Sequence, residues 1–160
     1  MTTAHDVYQG WDTYHERLIQ AISPLTPEQL HYRTAGSLRS VDEIARHIIG
    51  ARARWCHNVL GLGDDQFAAL GAWDRQNAPE RSAAEVVEGL RASWATLSDA
   101  LDGWSIADLT YSVPNTDYEP GDPVDFSRQW VLWHLIEHDL HHGGEISLIL
   151  GSNGAQGLDI

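Results

Sequence analysis

The side chains best suited to chemistry in this sequence are histidines at helical spacing. His138 and His142 are four residues apart in the segment WHLIEHDLHHGGE, so in a helix they share one face, with about 6 Å between their Cβ atoms. Imidazoles on adjacent turns can chelate one divalent ion. Both residues also fall on an apolar row between Leu135 and Ile146, where buried imidazoles are costly unless a metal or hydrogen bonds satisfy them. The pair therefore indicates a metal site that faces the protein interior.

A third ligand is expected from another helix, because two protein ligands rarely hold a divalent ion well. His47 lies on the inner row of a separate amphipathic segment, and facing helices of a bundle can bring such residues together. His134 extends the row that contains His138 and is a rival ligand, whereas His141 lies off the row and is expected at the solvent surface or an interface. We therefore predict His47, His138 and His142 as the metal ligands.

Three imidazole ligands would leave open coordination positions, which is typical of a reactive site. Imidazole suits zinc, nickel, iron and copper alike, so residue type does not select the metal. Three carboxylates lie nearby in the sequence, and any of them could orient a ligand imidazole. Glu145, three residues after His142, is a candidate outer-sphere base or additional ligand. Asp139 is a second candidate, although Glu137 and Asp139 also fit a solvated helix face.

Other catalytic patterns are weaker. The run from His138 to His142 resembles the metalloprotease motif His-Glu-x-x-His, but Asp139 stands where a longer Glu must act as the base. The chain has no lysine, which excludes a Schiff-base mechanism and a lysine-dependent phosphate loop. The one cysteine, Cys56, lies in an apolar helix and is expected to be a packed, inert thiol.

Composition narrows the possible partners. The 160 residues include 10 arginines against 23 acidic residues, a formal net charge of -13. Such a chain repels polyanions, so we expect no nucleic-acid partner and no anionic membrane surface. There is no signal-peptide pattern in the first residues and no apolar run long enough to span a bilayer. We therefore expect a cytoplasmic protein with a single domain over residues 1–160.

The elements that must position the histidines are four amphipathic helices. Apolar residues recur every three or four positions over residues 7–22, 40–55, 86–101 and 131–149. No segment alternates with period two, so no strand is predicted. The long connections, residues 23–39, 61–81 and 103–125, are expected to carry short structure or function. This pattern favours an all-α four-helix bundle with long loops and short extra helices.

Helix boundaries are marked by local signals. Ser40–Glu43 and Ser82–Glu85 match the capping box, and Thr26–Gln29 predicts a short helix with a proline at its first position. Gly151 and Gly154 are expected to stop the last helix.

Two further expectations concern packing. Gly143 and Gly144 lie within the last helix, where small residues permit a neighbouring helix to approach closely. Several tryptophans fit helix faces and are expected to be mostly in the core, namely those at positions 11, 55, 94, 130 and 133.

Two motifs together resemble one known family. Residues 133–146, WHLIEHDLHHGGEI, with Leu150-Gly151 after them, resemble the last-helix signature of the DinB-like superfamily, His-x-x-x-His-Arg-Gly-Gln followed by an apolar stretch. Residues 40–48, SVDEIARHI, resemble that family's second-helix motif, which carries its first metal histidine. Gly143 stands where the family has Arg, and Glu145 where it has Gln.

The resemblance implies a bundle with up-down-down-up topology that is often a homodimer. It also implies a divalent ion, commonly nickel or zinc, on residues that correspond here to His47, His138 and His142. Several relatives are metal-dependent transferases that use a low-molecular-weight thiol such as bacillithiol or mycothiol, and others are thiol-dependent isomerases. The family name reflects DNA-damage-inducible expression and implies no contact with DNA.

Three functional hypotheses follow. In the first, the protein is a metal-dependent thiol S-transferase, whose thiol attacks a small electrophile. In the second, it is a non-catalytic metal-binding stress-response protein or dimeric interaction module, in which a fourth ligand such as Glu145 closes the site. In the third, the histidines are hydrogen-bonded core residues and bind nothing.

The first hypothesis also names residues for the substrate pocket. Arg46, Arg52 and Arg54 lie on the same helix as His47 and either hold carboxylates of the thiol or form a solvated helix face. The wall of the pocket is expected from the connection 103–125, through Trp104, Tyr111 and Tyr118.

Overall fold

The structure is a computed structural model that describes residues 2–36, 38–116, 119–120 and 124–159. Its α-helices are α1 Ala4–Val7, α2 Trp11–Ile22, α3 Pro27–Leu30, α4 Val41–Arg54, α5 Asp65–Ala69, α6 Ala83–Gly103 and α7 Arg128–Ser152. One π-helical turn, Trp55–Val59, extends α4, and short 3-10 helices occupy Leu70–Ala72 and Ile106–Thr110. Among these described helices, none combines the length and apolar character that crossing a bilayer requires.

The predicted helix starts are confirmed by their hydrogen bonds. The Ser40 backbone N–H donates to the Glu43 carboxylate at 2.7 Å, and the Ser40 hydroxyl accepts from the Glu43 N–H at 3.3 Å. Ser82–Glu85 and Thr26–Gln29 form the same reciprocal cap. The predicted end of α7 is half wrong. Gly151 lies inside this helix, and only Gly154, at φ 75°, follows its last residue.

Two other features differ from the sequence-based expectation. The first periodic segment is broken before α2 by Gly10, whose φ of 96° is left-handed and cannot continue a helix. Two short antiparallel strands, β1 Ser112–Pro114 and β2 Asp125–Ser127, pair Val113 with Phe126; β1 lies in the third long connection, and β2 extends two residues beyond it. Strands of three residues are too short for a period of two to appear in the sequence.

Two core clusters fix the direction of the long helices. One joins the later turns of α2 and α7 to the first turns of α4 and α6, through residues such as Ile22, Ile44, Leu90 and Ile149. The second joins the opposite ends of the same helices, through Trp11, Ala53, Leu97 and Leu135. The helices α4 and α6 therefore run parallel to each other and antiparallel to α2 and α7, which is the up-down-down-up bundle.

A buried ion pair ties three of these helices together. Arg52 on α4 and Asp139 on α7 are both 0% exposed, and the Arg52 guanidinium donates to the Asp139 carboxylate at 2.7 Å. The indole N–H of Trp11 on α2 donates to the same carboxylate at 2.7 Å. The alternative of a solvated face is thus wrong for Asp139, because a counter-charge on the facing helix stabilises it in the core.

The Arg52 guanidinium also lies 3.3 Å from Nδ1 of His15, a buried residue of α2. Burial first, and then the charges of Arg52 and Arg91, lower the pKa of His15 to about 3. The ring is therefore neutral at ordinary pH, and its Nδ1 is able to accept a hydrogen bond from the guanidinium.

The other two arginines of α4 are also engaged internally. Arg46 pairs with Asp42 at 2.8 Å, and Arg54 pairs with Asp74 at 2.6 Å. Neither expectation for Arg46, Arg52 and Arg54 holds: they do not form a solvated face, and their charges are already compensated within the protein.

The tryptophans divide by the face of the helix that carries them. Trp11 is buried, and Trp55 and Trp94 are partly buried, but Trp130 is 38% and Trp133 58% exposed. The expectation that these tryptophans lie in the core is wrong for Trp130 and Trp133. The positions between them on α7, Val131 and Leu132, are the ones that point into the core.

The close helix approach predicted at the glycine pair occurs at one of the two positions. A Cβ on Gly143 would lie 2.1 Å from the Tyr14 hydroxyl of α2, whereas one on Gly144 would meet nothing within 4 Å. The missing side chain at Gly143 is therefore a packing requirement of this chain, and an arginine there would not fit between α7 and α2.

The glycine pair provides a matched test of this contact. We expect Gly143→Ala to lower the free energy of unfolding by about 1–3 kcal/mol through overpacking, and Gly144→Ala to raise it by about 0.5–1 kcal/mol through helix propensity. Urea denaturation of both variants measures the difference. Equal effects of the two substitutions would show that Tyr14 does not constrain α7.

The buried ion pair gives a second stability prediction. Asp139→Asn leaves the Arg52 charge uncompensated in the core, so we expect a loss of about 3–5 kcal/mol in the free energy of unfolding. The exposed Asp99→Asn is the control and should change it by less than about 0.5 kcal/mol. The double variant Arg52→Met/Asp139→Leu should lose less free energy of unfolding than Asp139→Asn, because it leaves no unpaired charge in the core. If Asp139→Asn changed the free energy of unfolding as little as Asp99→Asn does, the role of the ion pair would be contradicted.

Candidate metal centre

Three imidazoles from two helices meet inside the bundle. Nε2 of His47 on α4 lies 3.1 Å from Nε2 of His138 on α7, and the rings of His138 and His142 are 4.4 Å apart between centroids. One ring nitrogen from each of the three residues lies within 4.8 Å of the others. Ligand nitrogens of a tetrahedral zinc ion are about 3.4 Å apart, so the three side chains need only small adjustments to share one ion.

Carboxylates hold the outer nitrogens of two of these rings. Nδ1 of His47 is 2.7 Å from the Asp74 carboxylate, and Nδ1 of His142 is 2.6 Å from the Glu145 carboxylate. A carboxylate on one ring nitrogen fixes the tautomer and leaves the other nitrogen as a ligand. The structure thus places Glu145, a sequence candidate, where it orients His142 from outside.

Asp74 is a functional candidate that the sequence reasoning missed. It follows a 3-10 turn in the connection 61–81, and Arg54 holds it with hydrogen bonds of 2.6 and 2.9 Å. Burial alone would raise the pKa of Asp74, but the hydrogen bonds from Arg54 and His47 outweigh it and lower that pKa to about 2. The carboxylate is therefore ionised and accepts the Nδ1–H of His47.

Two of the imidazoles, those of His138 and His142, are shifted towards the form that binds metal. Burial first, and then the charges of His142 and His47, lower the pKa of His138 to about 3. Burial also lowers the pKa of His142, against the hydrogen bond that its ring donates to the Glu145 carboxylate, which raises it. Neutral imidazole is the ligating species.

Hydrogen bonding alone satisfies the cluster only in part. Nδ1 of His138 is buried and has no hydrogen-bond partner among the residues that the structure describes. Buried polar atoms in folded proteins nearly always have a partner. The unpaired Nδ1 is not the nitrogen that faces His47, so it does not itself indicate an ion. The convergence of Nε2 of His138 on Nε2 of His47, with a nitrogen of His142 nearby, is what fits a divalent ion.

The remaining histidine and carboxylate candidates lie outside this cluster. The ring of His134 is 6.2 Å from that of His138 and stacks on Trp130 at 5.3 Å. The side chain of His141 is 68% exposed, as expected for a residue off the row. Asp139 contacts Arg52 and Trp11, and none of the three clustered histidines is among its hydrogen-bond partners.

The pocket wall differs from the one expected. Trp104 is buried beneath Arg128, with 4.2 Å from the guanidinium to the ring centroid, and Tyr111 lies exposed beside the same arginine. Tyr118 lies outside the described residues. The third connection instead contributes Pro114 to a cavity of about 330 Å³, whose other walls include Trp55 and Phe126.

The sequence model of the DinB superfamily matches residues 11–146. The chain belongs to the DinB superfamily. The match extends from the start of α2 to Ile146 on α7, so it includes all three clustered histidines. The resemblance predicted from two motifs is confirmed.

Two solved structures share the fold of this DinB-superfamily protein. A DinB-like protein from Bacillus cereus ATCC 10987 superposes with a TM-score of 0.76 at 20% identity, covering 99% of this chain and 97% of that one. A conserved protein from Enterococcus faecalis gives a TM-score of 0.62 at 17% identity, with 88% and 92% of the two chains covered. Comparison with curated proteins gave no match. These similarities establish the fold and leave the activity open.

The carboxylate behind His47 gives a test of the metal centre. We expect Asp74→Asn to weaken zinc or nickel binding by about 10–100-fold, because the neutral amide orients His47 less firmly and makes it a weaker ligand. Competition with a chromophoric chelator at fixed pH measures the affinity.

A matched control exists on the surface. Asp102 holds the ring of His5 at 2.6 Å, a histidine–carboxylate pair outside the clustered histidines. Asp102→Asn should leave the metal affinity unchanged. If both asparagine variants bound metal as tightly as the unmodified protein, Asp74 would have no role in the site.

Proposed function

We propose that this DinB-superfamily protein is a metal-dependent transferase that joins a low-molecular-weight thiol to a small electrophile. The observation that carries the proposal is the incomplete ligand set. Three imidazoles converge, while the two carboxylates in contact with them, Asp74 and Glu145, occupy outer nitrogens. An ion held by three neutral ligands keeps its positive charge and an open position.

In this proposal the protein's own residues bind the metal ion and orient the rings that hold it. His47, His138 and His142 would hold the ion, commonly nickel or zinc in the family. A divalent ion with an open position supplies the acidity that makes a thiol nucleophilic at neutral pH. Asp74 and Glu145 keep two of the rings in the ligating tautomer.

In this proposal the nucleophile comes from outside the chain, because the chain's own thiol is unsuited to the role. Cys56, the one cysteine, is 0% exposed, and burial raises the pKa of its thiol to about 12. There is no lysine that could serve instead. A substrate thiol therefore supplies the sulfur. Its S–H proton passes to solvent, a C–S bond forms at the electrophilic carbon, and the leaving group departs with the bonding electron pair.

The non-catalytic alternative requires a fourth protein ligand. Glu145 was the expected one, but its carboxylate faces Nδ1 of His142 on the outer side of the ring. Nothing in the described part of the chain favours a closed site over an open one, so we keep the transferase as the proposal.

The transferase proposal predicts a specific loss. Protein purified without a histidine tag and loaded with zinc or nickel should consume 1-chloro-2,4-dinitrobenzene in the presence of cysteine or a cell-derived thiol. His142→Ala removes one of three ligands and should reduce turnover to near the uncatalysed rate. His5→Ala, which alters a surface histidine paired with Asp102, should retain the original rate.

Elemental analysis of the same samples separates the rival hypotheses. Equal turnover by the unmodified protein and His142→Ala would end the transferase proposal. Bound metal without turnover would favour the non-catalytic metal protein. Protein that takes up no metal would indicate a histidine cluster that serves only as core.

A further inference from the structure

A polar cavity of about 260 Å³ lies directly beside the metal centre. His47 and Asp74 form part of its wall, so a ligand in it contacts the site described above. The other charged residues that line it are Arg39, Glu43, Arg46 and Arg75. Three of the ten arginines of a chain with a net charge of -13 therefore surround one cavity.

Most of the charges in this wall are already compensated. Glu43 pairs with Arg33 at 2.8 Å, outside the cavity, and Asp74 pairs with Arg54. Arg46 pairs with Asp42. The two carboxylates of the wall and one of its three arginines thus carry no charge left over for a ligand.

Arg39 and Arg75 remain. Both are exposed, and within the described ranges neither side chain forms a hydrogen bond or an ion pair. They come from different segments, Arg39 just before α4 and Arg75 just after Asp74, and line the same cavity. The cavity therefore has two positive charges that are not engaged in an ion pair with the described residues, the reverse of what the overall charge of the chain would give.

The charge of Arg39 also acts on the His142 side of the histidine cluster. After burial and the nearer partners, it is the smallest of the influences on the pKa values of His142 and Glu145. The cavity itself places Arg39 beside His47 and Asp74.

We propose that Arg39 and Arg75 form an anion subsite that binds a carboxylate of the substrate beside His47. Guanidinium groups match the planar carboxylate with paired hydrogen bonds, and two of them from separate segments define an orientation as well as a charge. The subsite rests on the proposed transferase function for its role, which is to hold the anionic end of a substrate while its reactive atom faces the imidazoles. The carboxylate belongs to either the thiol or the electrophile.

Binding is tested independently of turnover. Zinc-loaded full-length protein is titrated with succinate by calorimetry, with 1,4-butanediol as the uncharged analogue. We expect succinate to bind, the diol not to bind, and Arg39→Gln and Arg75→Gln each to weaken succinate binding by about tenfold. Binding should also weaken as salt is raised.

Two other arginines serve as controls. Arg17 on α2 and Arg91 on α6 likewise form no ion pair or hydrogen bond with the described residues, and neither lines this cavity. Arg17→Gln and Arg91→Gln should bind succinate as the unmodified protein does. The subsite is refuted if succinate does not bind, or if all four glutamine variants bind it equally well.

Kinetics identify the source of the carboxylate. If the thiol carries it, Arg39→Gln and Arg75→Gln should raise KM for N-acetylcysteine and leave KM for N-acetylcysteine amide unchanged. If the electrophile carries it, they should raise KM for 4-chloro-3-nitrobenzoate and not for 1-chloro-2,4-dinitrobenzene. Unchanged KM values for all four compounds would refute the subsite.

The failures of the two proposals are distinguishable. Succinate binding that depends on Arg39 and Arg75, in a protein without thiol turnover, would overturn the transferase and support the anion subsite. Thiol turnover in a protein whose succinate binding is unchanged by Arg39→Gln and Arg75→Gln would support the transferase and overturn the anion subsite.

Discussion

The buried pair of Arg52 and Asp139 is the interaction on which the geometry of this bundle depends. Two charges removed from water are stable only in contact, so α4 and α7 can pack in only one register. Arg52 lies five residues after His47, and Asp139 follows His138 directly. The register that joins the two charges therefore also brings the histidines together, and Trp11 ties α2 to the same point.

The metal centre needs a long connection as well as two helices. Asp74 belongs to neither helix that carries a ligand, yet it fixes the ring of His47 and is itself held by Arg54. The segment between α4 and α6 also crosses the length of the bundle, because those two helices run parallel. The length of this segment thus has a topological cause. Where the segment passes the metal centre, its residue Asp74 contacts His47.

Local patterns in the sequence predicted the helices, their caps and the convergence of His47 with His138 and His142. These features depend on spacing along the chain, through helical periodicity and reciprocal capping bonds. Asp74 could not be predicted, because its partner lies 27 residues away with no periodic relation. The burial of Asp139 was missed for the same reason: its counter-charge is on another helix, 87 residues away. The roles of Asp74 and Asp139 are set by partners that are distant in the sequence, and neither spacing nor composition identifies such partners.

The cavity beside His47 is lined by two arginines that pair with no described residue, whereas the whole chain has a net charge of -13. The distance from a ligand to each charged group decides whether the local positive charge or the overall negative charge acts on it. At physiological salt the screening length is about 8 Å, so acidic groups spread over the surface contribute little inside a cavity. Charges in direct contact are hardly screened. An acidic protein can therefore repel polyanions along its surface and still bind a small carboxylate beside His47, provided that the arginines there are not already paired. Arg46, Arg52 and Arg54 do not meet that condition, and Arg39 and Arg75 do.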